Sequence, residues 1–221
     1  MFRQVIKIIK KNINIIIAII IIIIVYRKIN ISELYTISSD MKTEWLSTGK
    51  LNPADRLNDL IKVYGNPSVI DKSRGGVAIW DKKTLKKQNR CWDRIVIRDE
   101  QIPHSKPAPH IDFLYTTVDY NVPITKLLEV LGLSDSIMYD QLKQQITVRC
   151  HYEKANISTL VLAMRIADGE LTLKKVKADD LYKKYIMSED EKQLKDNEKE
   201  ICKKVKLFQD KQDKKLRGKR P

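Results

Sequence analysis

The stretch with most capacity for chemistry runs Asp99-Glu-Gln-Ile-Pro-His104-Ser-Lys-Pro-Ala-Pro-His110-Ile-Asp112. It holds two of the chain's three histidines and three of its seven prolines. Pro103, Pro107 and Pro109 each fix φ, so polar groups between them are held in few orientations. His104, His110 and Asp112 are ligand types that hold zinc and related metals, and His151 or Cys150 would complete a set from elsewhere in the chain. A histidine beside an aspartate also suits a general base and its orienting partner. The spacing H-x5-H-x-D is not an established ligand pattern, unlike two histidines one turn apart on a helix. The stretch therefore reads first as a stiff connector whose His and Asp side chains satisfy irregular backbone groups. A membrane-tethered, metal-dependent hydrolase is the alternative.

Other chemistry-bearing patterns are missing. The chain contains no GxxxxGK[ST], GxGxxG or GxSxG motif, so no phosphate cradle, dinucleotide fingerprint or nucleophile elbow is present. Gly75-Gly76 reads as a tight turn. No cofactor and no small-molecule substrate is identified. Trp80 and Trp92 flank a lysine-rich run (Lys82, Lys83, Lys86, Lys87, Arg90) and offer stacking rings beside positive charge, as a nucleic-acid surface would. Their place in strand-like segments favours two core tryptophans instead.

The elements that must position these residues suggest an α+β fold, a small antiparallel sheet covered by helices on one face. A helix is predicted over 53–64, with Asn52 as cap and Gly65 past its end. Leu57, Leu60, Ile61 and Tyr64 share one face of it. Strands are predicted at 68–70, 77–80, 92–98 and 111–120, and 82–90 reads as a loop. Pro123 opens a helix with Ile124, Leu127, Leu128 and Leu131 as its apolar stripe. A second helix, carrying Met138, Leu142, Ile146, Arg149 and Cys150, places His151 near its end. A third starts from a cap at Asn156 and stops at Asp168-Gly169. An edge strand at 171–176 and a short helix at 179–186 complete the domain.

Tyr64-Gly-Asn-Pro67, Gly75-Gly-Val-Ala-Ile-Trp80 and Asp99 through Tyr115 (DEQIPHSKPAPHIDFLY) resemble segments of a membrane-anchored protein family of large nucleocytoplasmic DNA viruses. The Ile- and Lys-heavy composition is similar to that of such AT-rich genomes. The resemblance covers roughly residues 50–187. It implies a viral or virion-membrane setting and carries over no activity, ligand or catalytic residue.

The ends of the chain are different material. Residues 12–26 read NINIIIAIIIIIIVY, uncharged and apolar all round, flanked by Lys10, Lys11, Arg27 and Lys28. A surface helix needs a polar face, and this run has none. Fifteen helical residues span about 22 Å against a hydrocarbon core of about 30 Å, a gap that the flanking basic side chains narrow by snorkelling. No A-x-A-like cleavage site follows. The run reads as a single-pass anchor; a cleaved signal peptide and a buried β-rich segment are the other readings. The organisation expected is an anchor over 1–28, a stalk over 29–50, the α+β domain over 51–187 and a charged tail over 188–221.

Charge and cysteine placement bound the setting. The net charge is +14, and residues 1–28 carry six bases and no acid. The tail holds twelve bases against eight acids and ends in Lys214, Lys215, Arg217, Lys219 and Arg220, a candidate polyanion-binding cluster. It is expected to be a solvated, partly frayed helix. Three cysteines, Cys91, Cys150 and Cys202, permit one disulfide at most, which favours a reducing compartment. The excess of Lys/Arg ahead of the anchor points the other way, placing the domain across the membrane from the cytosol. Asn30-Ile-Ser32 and Asn156-Ile-Ser158 are formal glycosylation sequons.

The function expected is a non-enzymatic structural or interaction protein on a host internal membrane or a virion membrane. Its partners would be the bilayer and, through the tail, a protein; nucleic acid is the less favoured partner. Full-length protein should stay with membranes through alkaline carbonate extraction, while a chain starting at residue 29 should not. Release of intact full-length protein by carbonate would contradict the anchor.

Overall fold

The computed structural model describes residues 19, 20, 22–24, 51–73, 76–104, 110–188 and 190–217. Five residues of the isoleucine run (Ile19, Ile20, Ile22, Ile23 and Ile24) are helical and exposed. Among the described residues no helix is long and apolar enough to cross a membrane. The rest of that run, the flanking Lys10, Lys11, Arg27 and Lys28, and the 29–50 stalk lie outside the described residues.

Helix α1 (Leu51–Tyr64) forms where the apolar spacing requires it and buries Ala54, Leu57, Leu60 and Tyr64. Gly65 stops it at φ +71, a left-handed conformation that costs glycine little. Strands β1 (Val69–Asp71) and β2 (Val77–Asp81) follow as an antiparallel pair, with Gly76 at φ +100 entering β2. Beyond them the lysine-rich run expected as a loop is helix α2 (Lys82–Lys87). The Asp81 carboxylate caps it by accepting from the Thr84 amide at 2.8 Å, and Leu85 anchors it in the core.

Strands β3 (Arg94–His104) and β4 (His110–Asp119) form the long central hairpin. The Pro/His stretch is thus mostly strand and not a free connector: His104 pairs with His110, Pro103 with Ile111 and Ile102 with Asp112. A bulge sets residues 98–101 of β3 against Phe113 alone, so the acidic Asp99-Glu100 insert leaves the ladder without breaking the hairpin. Strand β2 pairs with β3 only as far as Arg98, so Pro103 sits where no second ladder needs its missing N–H.

Helix α3 (Ile124–Leu131) ends at Gly132 as expected but is rotated relative to the predicted stripe. Val130 is buried, while Ile124 and Leu128 are 69% and 83% exposed. The second predicted helix is instead a hairpin, β5 (Ile137–Asp140) and β6 (Gln145–Cys150). Ile146, Val148 and Cys150 alternate into the core, a period of two that outweighs the four-residue spacing read from Met138, Leu142 and Ile146. The sheet is six-stranded and antiparallel, ordered β1-β2-β3-β4-β6-β5, against the expected four.

Helix α4 (Glu153–Ala167) is the centre of the helical layer, buried from Ala155 through Met164 on every side. Asn156 is not its cap but lies inside it, fully buried, donating to the Leu114 carbonyl at 3.2 Å and Thr116 Oγ1 at 3.0 Å. The second sequon therefore has no exposed acceptor in the folded domain. Two further buried polar groups of the helix donate to carbonyls, Ser158 to that of Tyr185 and Thr159 to that of Ala155. The predicted edge strand at 171–176 is helix α5 (Leu173–Ala178), capped by Thr172 onto the Lys175 amide. Helix α6 (Leu181–Met187) follows.

The tail departs most from expectation. Helix α7 (Glu191–Arg217) is continuous for 27 residues and packs along α4. Ile201 and Val205 are 0% and 1% exposed and belong to the same core as α4 and the sheet. Polar links reinforce the seat: Arg165 grips Glu200 through two nitrogens, Nε at 2.9 Å, and Arg90 pairs with Glu198. A Cys91–Cys202 disulfide with a Cα separation of 5.3 Å closes a loop across 111 positions. A loop that long corresponds to about 4–5 kcal/mol in the chain-entropy account. Buried apolar residues, ion pairs and the disulfide together dock a helix whose remaining surface is charged.

Ile201→Ala should lower unfolding free energy by about 2–5 kcal/mol, as for other fully buried large-to-small changes, while Leu216→Ala should leave it within about 0.5 kcal/mol. Chemical denaturation of the oxidised protein measures both. Equal, negligible effects would mean that α7 is not part of the core.

Candidate functional site

Of the residues singled out by sequence, the structure describes the side chains of Asp112, Cys150 and His151, and gives His104 and His110 a place in the backbone ladder. His104 and His110 are cross-strand neighbours at the far end of the central hairpin. Asp112 is fully buried, accepting from Ser136 Oγ at 3.2 Å and lying 3.4 Å from Arg149 Nε. His151 follows β6, with Nδ1 3.5 Å from Cys150 Sγ and its ring against Tyr152. Among the described residues no group of three His, Cys, Asp or Glu is arranged to hold a metal ion. Asp112 is thus a structural acid that ties β4 to the segment before β5 and to β6. Burial pushes the Cys150 thiol up to about 11, so little thiolate exists near neutral pH and the Cys150–His151 neighbours are a poor nucleophile–base pair.

Trp80 and Trp92 are core residues, 0% and 1% exposed, which removes them as stacking platforms for bases. Trp80 Nε1 donates to the Gly65 carbonyl at 2.8 Å, and Trp92 Nε1 reaches the Tyr64 hydroxyl at 3.3 Å. They pin α1 to the sheet.

A concave feature lies elsewhere on the surface of the described residues. A groove of about 950 Å³ runs between the C-terminal half of α7 and the segment joining β4 to α3. Its floor is aromatic: Tyr120 and Phe208 stand with ring centroids 6.1 Å apart. The neutral wall comprises Asn121, Pro123 and Gln144. Gln144 holds φ +54 in the β5–β6 turn, and its side chain accepts from Gln212 Nε2 at 2.8 Å, tying that turn to α7. The opposite wall is a single stripe of α7, Lys203, Leu207, Lys211 and Lys215, spaced four residues apart.

Electrostatics divide the groove's charges into spent and free. Lys204 Nζ binds Asp168 and Glu170 at the closed end; burial opposes its charge, yet these carboxylates raise its pKa overall. Burial and the hydrogen bond to Asp168 push the Tyr120 hydroxyl far up, so it stays protonated as a donor. Glu200 is held in ionised form by Arg165. The three acids that line the groove are paired internally, but with two cations for three carboxylates, so its net positive charge comes from Lys203, Lys211 and Lys215. Lys203, Lys211 and Lys215 are exposed and have no carboxylate in salt-bridge range among the described residues. Of the tail cluster proposed from sequence, Lys215 joins the groove, Lys214 and Arg217 are exposed beside it in the last turn, and Lys219 and Arg220 lie outside the described residues.

A second hub backs the groove. Lys82 of α2 pairs with Asp119 and reaches Asp93 at 3.4 Å, and Gln145 donates to both acids at 2.9 and 3.0 Å. Gln209 of α7 also donates to Asp119, at 3.1 Å. Burial favours the neutral form of Asp119, but these bonds outweigh it and keep its pKa low. The lysine-rich run read as a nucleic-acid surface thus supplies a structural tie between α2, the sheet and α7.

One further carboxyl is perturbed, away from the groove. Glu153, in the first turn of α4, is pushed up to about 7 by burial and by the Glu198 charge, against the pull of Arg56. Its folded pKa lies above the ordinary 4.5, so the folded state holds the proton more tightly. That contribution is full below pH 4.5 and is lost as pH rises through 7. Stability should therefore fall by about 1–3 kcal/mol between pH 5 and 8, and Glu153→Gln should flatten the slope. Asp81, Asp119 and Glu200 have lowered pKa values and act in the opposite sense, below their ordinary range, so the windows separate. Melting curves of both proteins across pH 4–9 measure this; an unchanged slope in the variant would exclude Glu153 as its source.

No protein-family model, curated protein or solved structure matches the chain, so the reading of the site rests on this groove and its charges.

Proposed function

We propose that this chain is a membrane-tethered, non-enzymatic interaction protein whose domain is displayed on the oxidising side of the bilayer and engages its partner along α7. The observation that carries the reading is the seat of α7. A charged helix is built into the core, cross-linked by Cys91–Cys202, and leaves one lysine stripe open on a groove. A helix fixed in this way presents its side chains at low entropic cost to a partner.

Two independent features support this side of the membrane. A structural disulfide persists where thiols are not kept reduced. The four bases ahead of the isoleucine run, against two immediately after it, favour a cytosolic N-terminus with the domain across the membrane. The Cys91–Cys202 bond weighs against the reducing compartment expected from three widely spaced cysteines. The resemblance of the 64–67, 75–80 and 99–115 segments to viral proteins suggests that the membrane is that of a virion or of an infected cell's interior.

Sealed membranes carrying the full chain with an epitope after Pro221 test the reading. The epitope should be protected from added protease until detergent opens the vesicles. Thiol labelling before and after reduction should show one free cysteine and one disulfide. A protease-accessible epitope with three free thiols would overturn the assigned side, and recovery of the chain in the supernatant would overturn the tether.

A further inference from the structure

We infer that the α7 groove is a docking site for an acidic polypeptide segment that carries apolar side chains between its carboxylates. The inference deepens the interaction reading above and rests on it. The stripe from Lys203 to Lys215 covers three helical turns, about 18 Å, which an extended chain of about five residues would follow. Along it one leucine, at 207, interrupts cations at 203, 211 and 215. Leu207 is 52% exposed and offers an apolar contact between the lysines.

Charge complementarity selects the sign of the occupant. Asp168, Glu170 and Glu200 are committed to Lys204 and Arg165, so the open charge in the groove is positive. The wall facing the lysines, Asn121 and Gln144 with Pro123, carries no charge and offers amides that bond a backbone of either direction. Shape selects the class. A bilayer meets flat or convex surfaces and would leave the Tyr120–Phe208 floor unfilled. A nucleic-acid strand would place bases on exposed rings, but Phe208 is partly buried and Tyr120 is 7% exposed with its hydroxyl committed to Asp168. A polypeptide places carboxylates on the lysines and an apolar side chain on Leu207 and Phe208.

The full chain in zwitterionic nanodiscs tests this, with a fluorescein-labelled peptide of alternating glutamate and leucine as probe. Fluorescence anisotropy should show saturable binding that weakens as salt rises. The double change Lys203→Glu/Lys211→Glu should weaken it at least about tenfold, and Leu207→Ser several-fold. Lys183→Glu, on the exposed side of α6, should change nothing. These positions are exposed, so melting temperatures should stay constant. Binding that ignores the charge reversal would overturn the site. So would binding of phosphatidylserine vesicles or single-stranded DNA in preference to the peptide. If the chain incorporates into nanodiscs but no peptide binds, the docking inference fails and the tether stands. If the peptide binds a chain that does not incorporate, the docking site stands and the tether fails.

Discussion

The rest of the structure depends on the insertion of Ile201 and Val205 of α7 into the core beside α4. Those two side chains, fully buried, turn a strongly charged helix into part of the domain. Everything that gives the groove a shape follows from that seat. The helix lies where Gln209 and Gln212 meet Asp119 and Gln144, and where Lys204 meets Asp168 and Glu170. Burial of two aliphatic side chains stabilises by about 3–6 kcal/mol before ordering costs, which is comparable to the disulfide term.

A consequence is the division of labour among charges. Exposed ion pairs on α7, such as Lys195–Glu191 and Lys199–Asp196, are solvated enough to contribute little. The pairs at the interface, Arg165–Glu200 and Arg90–Glu198, are partly shielded and orient the helix about its axis. That rotation points the 203–215 stripe at the groove. Buried Asp112 and half-buried Asp119 perform the same positioning task for the sheet.

Local signals made part of the fold legible in the sequence. Gly65 ends α1, although the helix starts at Leu51, ahead of the expected cap Asn52 and of Pro53; Gly132 ends α3, Asp168-Gly169 ends α4, and β-branched runs mark β3 and β4. The reading fails where two periodicities coincide. In 137–150, Met138, Leu142 and Ile146 mimic a helix, while Gln145-Ile-Thr-Val-Arg-Cys150 alternates as a strand; the turn between the strands uses Gln144 at positive φ, where no glycine announces it. Helices α2 and α5 escape detection because each rests on one cap and one buried residue, Asp81 with Leu85 and Thr172 with Val176. The groove is illegible for a different reason: Tyr120, Gln144, Asp168 and α7 are brought together only by the tertiary fold. The basic stripe itself is visible as a charged tail, but whether it is solvated or seated depends on two aliphatic residues in a long, mostly polar segment.

Native-state hydrogen exchange along α7 tests the seat of that helix most directly. In the oxidised full chain, amides from 198 to 208 should exchange only through global unfolding, with protection equal to that of α4. Exchange of those amides at rates of a fraying helix, while α4 stays protected, would show that α7 is a tail after all and that the groove has no fixed wall.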